Sequence, residues 1–168
     1  NKDLFVNKLK FIKDKYKINT IEFEKDDNTP VKAEDFDILE DIESRRDLTD
    51  LYTFTIDPTT SKDFDDAISI SFENDIYTVG IHIADVSYYI KKDSELDKYA
   101  KMKMNSVYLN GDTVHMLPTI LSNNLCSLVP NQDRNAVTVM ARFDKSGKQI
   151  DYEIFRSKIN SKKRYTYQ

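Results

Sequence analysis

The sequence predicts an α+β fold, a mixed and mostly antiparallel sheet with packed helices. Three observations carry this. Large apolar residues alternate with small or polar ones over 67–72 and again over 77–84, the period-two pattern of strands. A second pair of strand-like runs, N-A-V-T-V-M-A-R-F and I-D-Y-E-I-F, is separated by a turn at Ser146-Gly147. Helical spacing is confined to the N-terminal third and to short stretches between the hairpins.

Taken in order, residues 3–17 set Leu4, Phe5, Leu9 and Ile12 among lysines, which predicts a helix. Residues 19–33 are polar, contain Pro30, and read as a loop. Phe36, Leu39 and Ile42 give 34–46 the narrow apolar face of a short acidic helix. L-Y-T-F-T-I-D, 51–57, reads as a strand that Pro58 ends, because proline cannot continue a ladder. In 67–72, Ile68, Ile70 and Phe72 alternate with Ala67, Ser69 and Ser71, as in a half-buried strand. Glu73-Asn74-Asp75 is turn chemistry. Tyr77, Val79, Ile81 and Ile83 then alternate with Thr78, Gly80, His82 and Ala84, completing a hairpin. Ser94, with Asp97 three residues later, resembles a capping box for a helix of about ten residues. Pro118 precedes a short helix at 119–125.

The 168 residues suit one domain with room for an extra segment. A hydrophobic fraction of 39% and a charged fraction of 32% are wetter than average but do not describe a disordered chain. One cysteine, Cys126, excludes an intrachain disulfide and fits a reducing compartment. No apolar run approaches the roughly 20 residues of a membrane span, and no signal peptide opens the chain. The reading is a soluble, cytoplasmic protein. The chain starts with Asn and stops at Y-T-Y-Q, which reads as a piece of something longer. Charge is uneven: six Lys against two Asp in 1–17, twelve acids against four bases in 22–50, and four bases without an acid in 158–164. The net charge of −4 argues against a generic nucleic-acid binder.

The chemistry concentrates in T-I-D-P-T-T-S-K-D-F-D-D-A-I. Asp57, Asp63, Asp65 and Asp66 fall within ten positions between two apolar strands. Crowded carboxylates raise one another's pKa unless a cation sits among them. Mg²⁺ fits, because it prefers oxygen ligands, takes few from protein, and leaves positions for water and phosphate. Such ions activate water and stabilise the leaving oxygen in phosphodiester hydrolysis. An EF-hand would need Gly at loop position six, which is absent. Zinc would want Cys or His nearby, and the chain has only His82 and His115. A haloacid-dehalogenase-type phosphatase would need Asp where Thr59 stands. A solvated acidic turn is the plain alternative.

Further motifs follow in order: R-R-D-L-T-D-L-Y-T-F-T-I-D, D-F-D-D-A-I, H-I-A-D-V-S-Y-Y-I, S-V-Y-L, and M-L-P-x-x-L-S-N-x-L-C-S-L-x-P-x-x-D-R. Together they resemble the catalytic RNB domain of the ribonuclease II / ribonuclease R family, leaning toward the ribonuclease R branch. The resemblance runs from about Arg45 to the C-terminus, about three quarters of the chain. It implies a partial RNB-type catalytic domain over 45–168, with 1–44 a connector or the end of a preceding cold-shock-type RNA-binding region. It implies a processive, Mg²⁺-dependent 3′→5′ exoribonuclease that hydrolyses single-stranded RNA to nucleoside 5′-monophosphates. Neither DNA nor a membrane is an expected partner, and protein partners stay open. By motif, Asp57, Asp63, Asp65 and Asp66 are the catalytic and metal-binding carboxylates. Asp57 and Asp66 are the first-choice ligands, and Asp65 is the residue whose loss most reduces turnover. Tyr108 of S-V-Y-L corresponds to an aromatic that stacks on 3′-terminal bases, and Arg134 of D-R is a candidate phosphate contact. Asn110 and His115 depart from positions where the family usually shows proline. The family's catalytic domain is about twice as long. Its later half supplies a catalytic arginine and a second aromatic clamp, and an S1 domain follows. The rival reading is a catalytically silent RNA-binding or assembly module.

Among the smaller signals, His82 reads as a packed or hydrogen-bonded histidine. Cys126 reads as buried and inert. Asp85 reads as a turn-forming carboxylate.

Overall fold

The computed structural model describes residues 2–21, 23 and 45–167. Helix α1 (Lys2–Lys15) opens the chain, as its spacing predicts. Seven strands follow: β1 (Arg46–Pro58), β2 (Asp66–Glu73), β3 (Ile76–Ala84), β4 (Val107–Leu109), β5 (Asp112–Val114), β6 (Asp133–Asp144) and β7 (Gln149–Tyr167). Five of them close into a barrel in the order β1-β2-β3-β6-β7, while β4 and β5 form a separate hairpin. Every neighbouring pair in the barrel is antiparallel except β1 and β7, which run parallel and seal it. The fold class is therefore the mixed, mostly antiparallel sheet with packed helices that the sequence predicts.

Local chemistry explains the hairpins. Asn74 and Asp75 both take positive φ, 51° and 62°, the conformation that two-residue turns between twisted strands require. At the β6–β7 turn, Asp144 Oδ1 accepts from the backbone N–H groups of Ser146 (2.8 Å) and Lys148 (3.0 Å), and Gly147 supplies φ 84°. Between β3 and β6 the chain leaves the barrel. Helix α2 (Glu95–Lys103) starts there at Ser94, whose hydroxyl accepts from Asp97 N at 3.2 Å, and Asp97 Oδ2 accepts in turn from Asp93 N. The short helix expected at 119–125 is present, and Leu121–Leu125 is wound as a π-type turn.

Alternation in these strands ordinarily means apolar side chains inside. Here the small and polar faces are inside. Thr53, Thr55, Ser69, His82, Thr138, Ser157 and Ser161 are buried along the shaft of the barrel. Ile56, Ile70, Phe72, Ile81, Ile83 and Tyr165 are exposed on its outer wall. The shaft is narrow: a Cβ on Gly80 would lie 2.7 Å from His82 Nε2. The apolar core sits instead at the barrel mouth. Phe64 from the β1–β2 loop and Leu96, Leu121, Cys126 and Leu128 from the excursion pack there on Ala67, Ala84, Ala136 and Ile159 of the strands.

Some expectations need amending. The predicted helix over 34–46 does not reach its end, because Arg46 already belongs to β1; residues 34–44 lie outside the described residues. In the expected loop 19–33, residues 22 and 24–33 lie outside them too. Strand β1 starts five residues before the apolar run 51–57. Strand β7 continues twelve residues past Phe155, through a polar and basic stretch held by pairing with β6 and β1.

Candidate active site

The four aspartates occupy the connection from β1 to β2 at the barrel mouth. Asp57 is the penultimate residue of β1 and pairs with Thr166 of β7. Asp66 is the first residue of β2 and pairs with Ile83. Between them the loop rests on Phe64, which is buried in the apolar plug, while Asp63 is half-buried and Asp65 exposed. The loop backbone is tied down on several sides. Phe64 N donates to Ser127 Oγ (3.0 Å), Ser127 Oγ donates to Lys62 O (2.9 Å), and Leu128 N donates to Phe64 O (2.9 Å). Ala84 N donates to Asp65 O at 2.9 Å, tying the loop to the end of β3.

The electrostatics are those of crowded acids. Burial pushes the Asp57 carboxyl up and the Thr55 hydroxyl beside it opposes this; the charges of Asp66 and Asp63 add to the rise while Arg164 counters them. Asp65 is also raised. It reaches solvent, but the protein packed behind it desolvates the carboxylate, and Asp63, Asp66 and Asp57 add repulsion. Asp57 Oδ2 is buried and has no hydrogen-bond partner. An orphaned carboxylate oxygen among other carboxylates is a donor set that suits a hard, oxygen-seeking cation such as Mg²⁺. Among the described residues, however, no three carboxylate, imidazole or thiol groups converge closely enough to chelate an ion.

Tyr108 stands on β4, in the small hairpin that turns at Gly111 with φ 77°. Its ring is exposed, and its hydroxyl donates to Asp63 Oδ2 at 2.5 Å. That hydrogen bond, and burial after it, push the phenol up to about 12. Tyr108 and Asp63 line one open groove of about 750 Å³ with Lys62, Asn110, His115 and Asn123. Asp57, Asp65, Asp66 and Arg134 are outside that lining. Arg134 is committed to protein oxygens: Ser127 O (2.9 Å), Asp133 O (3.0 Å), Asn124 Oδ1 (3.3 Å) and Gln132 Oε1 (2.5 Å).

The residues set aside on sequence grounds are structural. His82 is fully buried between Ser69 and Thr138. Asp85 accepts from Ser87 Oγ (2.6 Å) and forms a buried ion pair with Arg45 (2.6 Å). Arg45 also reaches Ser157 O at 3.4 Å, so the residue just before β1 is tied to the end of β3 and the middle of β7. Burial pushes the Cys126 thiol up to about 12, leaving it inert at neutral pH. Arg164 was not singled out by sequence. Its Nη2 donates to Pro58 O (2.7 Å) and Thr59 O (2.9 Å), at the start of the aspartate loop.

Comparison with known proteins identifies the family. The RNB domain family matches residues 45–168. A ribonuclease R of Chlamydia pneumoniae is 54% identical over 131 residues, covering 77% of this chain and 19% of that protein. The solved Mycoplasma genitalium RNase R in complex with ribose-methylated single-stranded RNA superposes with a TM-score of 0.78 at 40% identity, over 89% of this chain and 24% of that one. Yeast Ssd1, described as a pseudonuclease, shares the fold with a TM-score of 0.76 at 23% identity, over 88% of this chain and 19% of that one. The chain thus spans about a fifth of the length of the curated ribonuclease R it matches. No helix among the described residues is long and apolar enough to cross a membrane. With its motifs in order, its barrel superposing on solved relatives and its family match running from Arg45 onward, the chain belongs to the RNB-domain family of ribonuclease II and ribonuclease R.

Proposed function

We propose that the protein to which this chain contributes is a processive Mg²⁺-dependent 3′→5′ exoribonuclease. It would release nucleoside 5′-monophosphates from single-stranded RNA. The observation that carries this reading is Asp57: a buried, unpartnered carboxylate oxygen at a strand end, with Asp63 and Asp66 acting on it. Asp57 and Asp66 hold Mg²⁺ in this reading, and Asp63 and Asp65 complete the acidic set. The ion, when bound, activates the attacking water and stabilises the leaving oxygen. The protein's own part is positional. Strand ends fix Asp57 and Asp66, and Asp65 orients the water for in-line attack on the last phosphodiester. Tyr108 presents a flat, exposed ring on which any base stacks, which suits a sequence-tolerant enzyme. Arg134 contacts a phosphate, for which Gln132 and Asn124 must release its guanidinium.

The lack of three converging chelating groups among the described residues favours a second reading, a catalytically silent RNA-binding or assembly module. A gel assay separates the two. The whole protein to which this chain contributes is incubated with 5′-labelled single-stranded RNA, with and without Mg²⁺, beside Asp65→Asn. A Mg²⁺-dependent descending ladder that the substitution abolishes is the expected result. RNA that is retarded on a native gel but stays intact under all conditions would refute the nuclease reading and support the silent module.

A further inference from the structure

The aspartate loop is held by groups that lie far from it in sequence. Its first residues are held from β7. One terminal nitrogen of Arg164 donates to both Pro58 O (2.7 Å) and Thr59 O (2.9 Å), and the guanidinium lies over the Phe64 ring, 4.8 Å from its centroid. Arg164 pairs with Thr55 across the parallel β1–β7 seam, so the register of that seam sets its reach. The second half of the loop is held from behind. Ser127 is fully buried, and its hydroxyl accepts from Phe64 N and donates to Lys62 O. The backbone is thus fixed at 58, 59, 62 and 64. Asp63, whose carboxylate accepts from Tyr108, and Asp65 are the acids carried by this stretch.

We propose that Arg164 and Ser127 are the positioning residues of the carboxylate loop, holding its backbone so that Asp63 and Asp65 project from a fixed frame. The inference rests on the catalytic-loop reading above and adds to it the two residues that would set the loop's geometry. Neither touches the reacting atoms. Arginine is needed rather than lysine because a planar fork can stack on Phe64 while one nitrogen bridges two carbonyls. A lysine ammonium keeps the charge and one such bond but not the stacking. Serine is needed at 127 because a single hydroxyl there both donates and accepts.

The test is amide hydrogen exchange on this chain, resolved to residues 59–65, for the wild type, Arg164→Ala, Arg164→Lys and Ser127→Ala. Arg142→Ala, whose ion pair with Asp151 is on the surface, is the control. Manganese titration followed by electron paramagnetic resonance is the second readout. The expected result is exchange at 59–65 at least tenfold faster in Arg164→Ala and Ser127→Ala, with protection of β3 and β6 retained. Arg164→Lys should fall between, and the control should match the wild type. Manganese affinity should drop several-fold in the same order. Unchanged exchange at 59–65 overturns the proposal. A uniform rise across the barrel overturns it as well, because Arg164 and Ser127 would then support the whole fold rather than the loop. A wild type that binds no manganese refutes the metal reading of the aspartates while the exchange data still judge the positioning role.

Discussion

Acid should destabilise this barrel through one residue. His82 lies in the shaft with Ser69 Oγ 2.9 Å from Nε2 and Thr138 Oγ1 2.8 Å from Nδ1. Thr138 in turn meets Ser157 Oγ at 2.6 Å, and Ser157 donates to Ala136 O at 3.4 Å. Followed back from that carbonyl, each hydroxyl donates once, so the neutral ring carries its proton on Nδ1 and accepts from Ser69 at Nε2. A second ring proton would turn Nε2 into a donor facing a hydroxyl already donating to it, inside a shaft without water access. Burial lowers the ring's pKa from 6.5 to about 4. Each tenfold in proton affinity is worth about 1.4 kcal/mol, so the difference corresponds to about 3 kcal/mol of stability. The sign follows from the unfolded chain, which takes up the proton near pH 6.5 while the folded chain resists until about 4. The stability is fully present above pH 6.5, falls as pH drops toward 4, and levels off below. Urea unfolding from pH 7.5 to 4.5 measures it, with His82→Gln as the non-titrating reference. The wild type should lose stability relative to the variant across that window. Parallel profiles would refute the reasoning, and would mean that the ring reaches water or finds an acceptor when protonated.

Other perturbations have defined outcomes. Gly80→Ala forces a methyl against Ser69 Oγ and His82 Nε2, and overpacking of this kind should cost about 1–3 kcal/mol in urea unfolding. Asp85→Ala leaves the Arg45 guanidinium buried without its partner and should cost about 3–5 kcal/mol, read as a lower melting temperature. Tyr108→Ala should weaken single-stranded RNA binding by the roughly 1–3 kcal/mol typical of one stacked base, measured by fluorescence anisotropy. Tyr108→Phe keeps the ring and should leave that affinity nearly unchanged.

Legibility in the sequence depended on how local the cause was. Asn74-Asp75 and Ser146-Gly147 announce their hairpins because turn chemistry is contained in a few residues. Ser94 and Asp97 announce α2 for the same reason. The second half of β7 reads as a charged tail, because S-K-I-N-S-K-K-R carries no large apolar alternation. It is a strand because β1 and β6 flank it. Its inward serines, Ser157 and Ser161, look like solvent residues until the shaft is seen to be lined with hydroxyls. The aspartates stand out by their crowding alone. The contact of Asp63 with Tyr108, forty-five residues away, carries no local signal, and neither does the grip of Arg164 on Pro58 and Thr59. Arg45 gave no hint of its buried pair, because its partner Asp85 lies at the end of another strand.

A barrel with hydroxyls within and isoleucine, phenylalanine and tyrosine on its outer wall should have an unusual calorimetric signature. Unfolding raises the heat capacity mainly by exposing apolar surface to water, and a chain of this length ordinarily shows about 2 kcal/mol/K. Here much of the outer apolar surface is wet before unfolding begins. The increment should fall below that value, and the stability curve should be flatter, with a broader range of temperatures near its maximum. Burying the outer wall against any partner would restore the missing heat capacity as a negative change on association. The wall would then contribute to cohesion what the shaft, lined with threonine, serine and histidine, does not.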